Sequence, residues 1–354
     1  MDRLSRLRTL LNEDLDALIL YNEANCRYAS GGFAWTDGFA VITRTEGVCF
    51  ADFRYIEAAR KQVRGCTVQL LDGDAVKNVE ALFRRGEAQR VGFEDQTLSV
   101  SRYESLCRLY PQVSFVPLKN SLLRLRAVKD AEEIALIRNA QAIAEEAFGA
   151  LLGRLSPGMS ERHIASLLEY EMAVRGSEEP AFQTIAVSGP NTSLPHGVPT
   201  DRCLQKGDLL TLDFGATCGG YRSDMTRTLS LGDPGEEARH VYATVLEAQL
   251  TACQGLKAGM TGRCADALAR DLIFRAGYGA AFGHSLGHGV GLDIHEAPGL
   301  SPKNEEPLPA GAVVTVEPGI YLPEKFGVRI EDMAVLTPDG IQNLTKAPKE
   351  LIIL

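Results

Sequence analysis

Five residues in the C-terminal half, Asp213, Asp224, His288, Glu317 and Glu331, have the types that hold divalent cations, and each sits in a Gly-rich or strand-like setting. The first two lie in LLTLDFGATCGGYRSDMTRTLSL, residues 209–231. β-favouring residues flank Cys218-Gly219-Gly220 there, and the segment reads as a tight hairpin. With Cys218-Gly219 as the two-residue loop, Asp213 stands opposite Asp224 with Cβ atoms roughly 4.5–5.5 Å apart; with Gly219-Gly220 the two become diagonal neighbours at roughly 7–8 Å. Either register puts both carboxylates on one face. The flanking Leu209, Leu210, Leu212, Phe214, Met225 and Leu229 imply a covered sheet, and like charges on a covered face call for a proton or a cation between them.

A second pair of strands is expected at AVVTVEPGIYL, 312–322, and GVRIEDMAVL, 327–336. Period-2 alternation puts Arg329 and Glu331 on one face. Glu317 ends its strand just before Pro318-Gly319, where a turn aims side chains into sites. Between the two regions runs FGHSLGHGVGLDIHE, 282–296, which holds His284, His288 and His295, half of the six histidines in the chain. Imidazole is a common neutral metal ligand and proton carrier, and glycine lets backbone approach a ligand closely. His284 and His288 have the spacing of a helical zinc pair, yet the glycines at 283, 287, 289 and 291 argue against a helix. Four carboxylates balance the charge of two divalent ions, and oxygen-rich ligation with one imidazole suits Mn better than thiolate-loving metals, with Co or Zn able to compete.

These motifs, with Pro195-His196-Gly197, resemble in order and spacing the motif set of the Xaa-Pro peptidases, the prolidase and aminopeptidase P branch of the pita-bread M24 metallopeptidases. The resemblance covers essentially the whole chain. It implies an α/β N-terminal domain followed by an α+β pita-bread (creatinase/aminopeptidase) catalytic domain. It also implies a dinuclear Mn or Co centre, Zn being possible: Asp224 and Glu331 bridge or nearly bridge the ions, Asp213 completes one, and His288 and Glu317 complete the other. Two such ions clamp a water, lower its pKa and polarise the scissile carbonyl. By the same resemblance Glu317 is also the general base, His295 donates to the developing oxyanion, and His196 places substrate or relays the proton. His284, Tyr321 and Arg329 bind substrate or brace the metals; for Arg329 an ion pair to Asp213 or Asp224 is a second role. The expected substrate is a peptide with proline at the second position, cleaved as an Xaa-Pro dipeptidase (prolidase) or an Xaa-Pro aminopeptidase would. Length and layout lean toward compact microbial prolidases. Dipeptide selectivity requires recognition of a free carboxylate just after proline, by an arginine or a blocked cleft.

Two other readings stay within the pita-bread group, and the first of them shares the metal ligands. One is a methionine aminopeptidase, against which the leading domain of about 120 residues and the residues around TVEPGIY argue. The other is a non-peptidase relative, a creatinase-type hydrolase or a binding scaffold; such relatives lose ligands that this chain retains.

The elements that must position these residues fall into two domains, expected at residues 1–122 and 123–354, as suits a chain of 354 residues. The first alternates strands and helices, beginning with an amphipathic helix over residues 2–13 and a buried strand at 17–21. Its GGFAWTDGF loop, 31–39, holds the only tryptophan; in related enzymes the corresponding domain reaches a partner subunit's active site, so a homodimer is implied. In the second, helices are expected at about 130–153, 160–175, 236–256 and 261–276. SPGMS at 156–160 and KAGMT at 257–261 are near-copies, a faint internal duplication. Net charge of -9 and the absence of a basic helix face leave nucleic-acid binding without a footprint. No apolar run of membrane length and no cleavage-site pattern point to a cytoplasmic protein. The eight cysteines form no CxxC pair and are expected as buried thiols in a reducing compartment. His163 and His240 receive no role.

Overall fold

Short apolar runs bounded by polar turns, ALIL at Ala17–Leu20, FAVIT at Phe39–Thr43 and GVCFA at Gly47–Ala51, are buried along their whole length. Strands covered on both faces need such runs. In the computed structural model, which describes residues 2–354, they form the middle of a six-stranded mixed sheet. Its order is Thr67–Leu70, Gly47–Ala51, Phe39–Thr43, Ala17–Leu20, Arg90–Phe93, Ser114–Pro117. This is one of two compact units, which part between Leu125 and Arg126 within the helix Ser121–Ala127. The first helix is shorter than its apolar pattern suggests, Arg3–Arg8 in place of 2–13. Beyond it the carbonyls of Leu11, Asn12 and Leu15 accept from the Arg44 guanidinium, a partner distant in sequence that replaces helical bonds. A helix at Glu23–Ala29, which periodicity does not signal, is capped by Asn22, and Glu94 accepts from the N–H groups of both Tyr21 and Asn22. Trp35 is buried and donates to the carbonyl of Phe50 at 3.0 Å.

The second unit repeats one arrangement twice. Ala131–Leu152 and Glu161–Val174 form one helix pair, Glu236–Gly255 and Gly262–Arg275 the other. Each pair turns at one of the near-copied pentapeptides. Gly158 and Gly259 adopt φ of 89° and 85°, and Ser160 and Thr261 then cap the second helix of each pair by accepting from the N–H of His163 and Cys264. The first pair packs its apolar stripe, including Phe148, Leu151, Ile164 and Leu168, with Leu210, Leu212 and Phe214 of a three-stranded sheet. That sheet runs Met225–Ser230, Leu209–Phe214, Ile185–Ser188. The second pair shares a core with Leu286 and with Val314, Val316, Ile320 and Val328, the last four from a five-stranded sheet and a separate hairpin. The five strands run Glu296–Leu300, Gly287–Gly289, Val313–Val316, Asp332–Thr337, Gly340–Asn343.

Two expected strands are each cut in two. Residues 312–322 divide into Val313–Val316 and Gly319–Leu322, and 327–336 into Phe326–Arg329 and Asp332–Thr337. Gly319–Leu322 and Phe326–Arg329, the halves nearest the turn, pair with each other as the separate hairpin, while Val313–Val316 and Asp332–Thr337 pair within the five-stranded sheet. Alternating apolar residues read straight through both breaks because each half is buried in its own sheet. Among the described residues no helix is long and apolar enough to cross a membrane. All eight cysteines are free thiols, but only Cys26 and Cys49 are buried, and Cys203 and Cys264 are exposed; the expectation of buried thiols throughout is corrected on that point.

Candidate metal centre

Asp213 and Asp224 are brought together by the hairpin turn at Gly219-Gly220, where φ is 57° and 80°. These positive values suit a two-residue turn that only glycine adopts without strain. Cys218 pairs with Tyr221, and Asp213 pairs with Thr226 in the longer ladder. Of the two registers the sequence allows, the diagonal one therefore forms, with Asp224 two residues from the partner of Asp213. Asp224, Thr226 and Thr228 alternate along one face, and Arg227 points to the other, where it donates to Asp332 at 2.9 Å and to the carbonyl of Glu331 at 2.6 Å.

Glu317 and Glu331 occupy the two strand breaks. The Glu317 N–H bonds the carbonyl of Leu286 at 2.8 Å, and the Glu331 N–H bonds the carbonyl of Thr226 at 3.1 Å. Each break thus docks on a different segment, which turns its carboxylate toward a common centre. His288 arrives on Gly287–Gly289, a strand and not a helix. A Cβ on Gly287 would lie 2.1 Å from the carbonyl oxygen of Thr315, and one on Gly289 would lie 2.3 Å from that of Ala297, so both flanking glycines are required by close packing.

Donor atoms of Asp224, His288 and Glu331 all lie within 4.8 Å of one another. His288 Nε2 is 3.5 Å from Asp224 Oδ2 and 3.4 Å from Glu317 Oε1. The other ring nitrogen, Nδ1, faces the carbonyl of Gly289 at 3.1 Å; a carbonyl only accepts, so Nδ1 carries the proton and the Nε2 lone pair faces the carboxylates. Thr226 Oγ1 donates to Glu331 Oε2 at 2.6 Å and accepts from Arg329 Nε at 3.0 Å. Thr315 Oγ1 donates to Glu317 Oε1 at 3.0 Å. These two threonines were not singled out from sequence, although period-2 alternation from Asp224 and Glu317 places both on the site face.

Arg329 pairs with Asp213, its Nη2 2.6 Å from Oδ2, and not with Asp224. Its Nη1 donates to Tyr321 Oη at 2.8 Å and to the carbonyl of Pro195 at 3.1 Å. Tyr321 Oη lies 3.0 Å from His284 Nε2, and His284 Nδ1 lies 2.8 Å from the carbonyl of Ser285. Asp213, Asp224, His196, His284, His288, His295, Glu317, Arg329 and Glu331 all line one cavity of about 550 Å³. His196 and His295 are exposed, and the His295 ring meets that of His288 edge-on at 4.3 Å. Tyr321 is buried behind the cavity. His163 and His240 lie on the helices Glu161–Val174 and Glu236–Gly255, outside this lining.

Burial pushes the carboxyls of Asp224 and Glu331 well up, reinforced for Asp224 by the charges of Glu331, Asp213 and Glu317, and for Glu331 by those of Glu317 and Asp213. Glu317 is pushed up to about 7, first by burial, with Arg329 opposing and Asp213 reinforcing. Burial likewise lowers His284 to about 4. Each pair of unit charges about 4 Å apart repels by about 4 kcal/mol at an effective dielectric near 20, so a single arginine does not neutralise four acids. Asp213 Oδ1 and Glu331 Oε1 are moreover buried without a hydrogen-bond partner, although buried carboxylate oxygens are ordinarily satisfied. Four carboxylates, one oriented imidazole and two such oxygens fit hard divalent ions.

One buried ionic cluster escaped the sequence reading. Glu296 accepts from Lys129 Nζ at 2.6 Å and Arg126 Nη2 at 2.5 Å, all three side chains being buried. It ties the strand that follows His295 to the start of the second unit's first helix. The sequence signal was present, a glutamate directly after a candidate histidine.

Comparison with known proteins agrees with this chemistry. The profile of metallopeptidase family M24 matches residues 135–338, and that of the creatinase/prolidase N-terminal domain matches residues 3–128. An uncharacterized peptidase of Bacillus subtilis, YqhT, is 41% identical over 353 residues, 99% of this chain and 100% of that protein. The structure of an Xaa-Pro dipeptidase from Bacillus anthracis superposes with a TM-score of 0.95 at 42% identity, covering 100% of this chain and 99% of that one. That of an X-Pro aminopeptidase from Thermotoga maritima does so with a TM-score of 0.93 at 37% identity, covering 100% of both chains.

Proposed function

Because the chain belongs to metallopeptidase family M24, we propose that it hydrolyses the bond between an N-terminal residue and a following proline, with two divalent ions held by Asp213, Asp224, His288, Glu317 and Glu331. The observation that carries this reading is the pair of buried, unpartnered carboxylate oxygens on Asp213 and Glu331. They lie within a cluster in which Asp224, Glu317 and Glu331 are pushed toward protonation unless cations are present.

Bound divalent ions supply Lewis acidity that lowers the pKa of water and polarises a carbonyl. The protein side chains do the rest. Glu317 holds and returns a proton, a role suited to a carboxyl lifted toward neutrality by burial. Thr315 orients it by donating to Oε1. His295, at the exposed edge of the cavity, donates to the oxyanion that develops on the scissile carbonyl. His196 lies on the same wall and positions the substrate or passes the proton to the leaving proline nitrogen. Arg329 and Thr226 act on the ligands, holding one oxygen each of Asp213 and Glu331 in place. Tyr321 and His284 extend that chain of hydrogen bonds to the substrate side.

Oxygen-rich ligation favours Mn, with Co as its closest competitor here. The cytoplasmic location and homodimer implied by the family resemblance belong to the same proposal. Its test is metal content by mass spectrometry of the purified chain, followed by hydrolysis of Xaa-Pro substrates with Mn or Co added. About two equivalents of metal and metal-stimulated release of the first residue are expected. A chain that takes up no divalent ion, or takes it up without cleaving any Xaa-Pro bond, refutes the proposal.

A further inference from the structure

A dipeptide that ends in proline presents an ionised carboxylate one residue beyond the scissile bond. A site that selects such dipeptides either blocks the cleft just beyond that carboxylate or pairs it with a cation, because a buried carboxylate left unpaired is strongly disfavoured. Among the described residues that line the cavity there is one guanidinium, Arg329, and no lysine. Arg329 is buried and its donors are committed: Nη2 to Asp213, Nη1 to Tyr321 and the carbonyl of Pro195, and Nε to Thr226. Both ring nitrogens of His284 are taken as well, by Tyr321 and the carbonyl of Ser285. The remaining polar wall consists of His196, His295 and the neutral side chains of Gln183, Thr184, Ser285 and Ser301. A neutral imidazole N–H can donate to a peptide carbonyl as well as to a carboxylate, so it does not demand a free chain end. The Thr184 hydroxyl is buried without a hydrogen-bond partner, which suits a neutral amide of a passing peptide.

Three glycines lie on this wall. A Cβ on Gly197 would meet Val187 at 2.9 Å, and one on Gly287 would meet the carbonyl of Thr315 at 2.1 Å, whereas one on Gly299 meets nothing within 4 Å. Gly299 is therefore the wall glycine with room for a side chain, and a cation carried there would supply the charge that the wall lacks.

We infer that the site reads its substrate as a neutral peptide continuing past proline, so that the enzyme prefers Xaa-Pro-Yaa chains to Xaa-Pro dipeptides, and that Gly299 is the residue that sets this preference. The inference rests on the Xaa-Pro reading above and adds the class of substrate.

The test uses the full-length, metal-loaded protein and three substrates: an Xaa-Pro dipeptide, the same dipeptide as its C-terminal amide, and an Xaa-Pro-Yaa tripeptide. The amide and the tripeptide are expected to exceed the free dipeptide in kcat/KM by about tenfold or more, the penalty of one unpaired charged group. A free dipeptide cleaved as well as its own amide, or better, overturns the inference. Cleavage of none of the three overturns the Xaa-Pro reading instead, so the two failures are distinct. In Gly299→Arg, the ratio of dipeptide to amide should rise roughly tenfold, mainly through KM for the dipeptide. An unchanged ratio in a folded variant with intact amide hydrolysis removes the role assigned to Gly299. The wild-type comparison stands as a test even where that variant does not fold.

Discussion

Asp213 Oδ2 accepts from Arg329 Nη2 at 2.6 Å, while Asp213 Oδ1 is buried with no hydrogen-bond partner. The guanidinium thus fixes the plane of the carboxylate and leaves its second oxygen without a protein donor. Thr226 does the same for Glu331, donating to Oε2 at 2.6 Å while Oε1 has no partner. Arg329 also donates to Thr226, so one residue orients both acids.

Replacing Arg329 by lysine keeps a charge but not the fork that reaches Asp213, Tyr321, Pro195 and Thr226 together. Metal affinity should fall roughly 10–100-fold, measured by calorimetric titration of the chelated protein with Mn. Wild-type affinity in Arg329→Lys would show that Arg329 does not brace the ligands.

Glu317→Gln preserves size and the bond from Thr315 while removing the proton-carrying group. Turnover of an Xaa-Pro substrate at saturating metal should drop by roughly 100-fold to 10,000-fold, with the thermal midpoint near that of the parent. Normal turnover would take Glu317 out of the proposed mechanism.

Chelation should reverse the sign of the site's pH dependence. Burial, against the opposing charge of Arg329, lifts Glu317 from 4.5 to about 7, and Asp224 and Glu331 are likewise raised above their ordinary range. A carboxyl raised in the folded state lends stability while protonated, and loses that stability as pH climbs from its unfolded value through its folded one. The metal-free protein should therefore lose stability from about pH 4.5 to 7 and beyond. Mn uptake in that window should release protons, because the ligands must ionise. Thermal melts with chelator and with Mn should diverge as pH rises, and calorimetry in buffers of different ionisation heat should detect the protons. Parallel melting curves and no proton release would contradict the account.

Glu296 works with the opposite sign. Burial acts to raise its carboxyl, but Lys129 and Arg126 outweigh burial and hold it below the usual range, so its stabilisation is present above about 4.5 and is lost as pH falls. Glu296→Gln leaves two buried cations without their shared anion. A loss of about 3–5 kcal/mol is expected in denaturant unfolding. A change under about 0.5 kcal/mol, the ordinary effect of a surface substitution, would mean that the cluster is solvated.

The sequence alone determined which residues are of a type and setting to hold cations, because ligand types, glycine-rich approaches and turn residues are local properties. Asp213, Asp224, His288, Glu317 and Glu331 were legible for that reason, as were the helix pairs capped at Ser160 and Thr261. Tertiary structure decided what depends on distant partners. The choice between two hairpin registers reflects the space at Gly219, where a Cβ would lie 2.9 Å from Leu136, and the N–H groups of Gly219 and Gly220 donating to Glu178, none of which the turn residues encode. The breaks at Glu317 and Glu331 were hidden because both halves of each strand are apolar, and only pairing with separate sheets cuts them. Whether Arg329 was available to a substrate was equally undecided in the sequence. Its four partners lie 8 to 134 residues away, and it took the folded chain to spend its charge within the site.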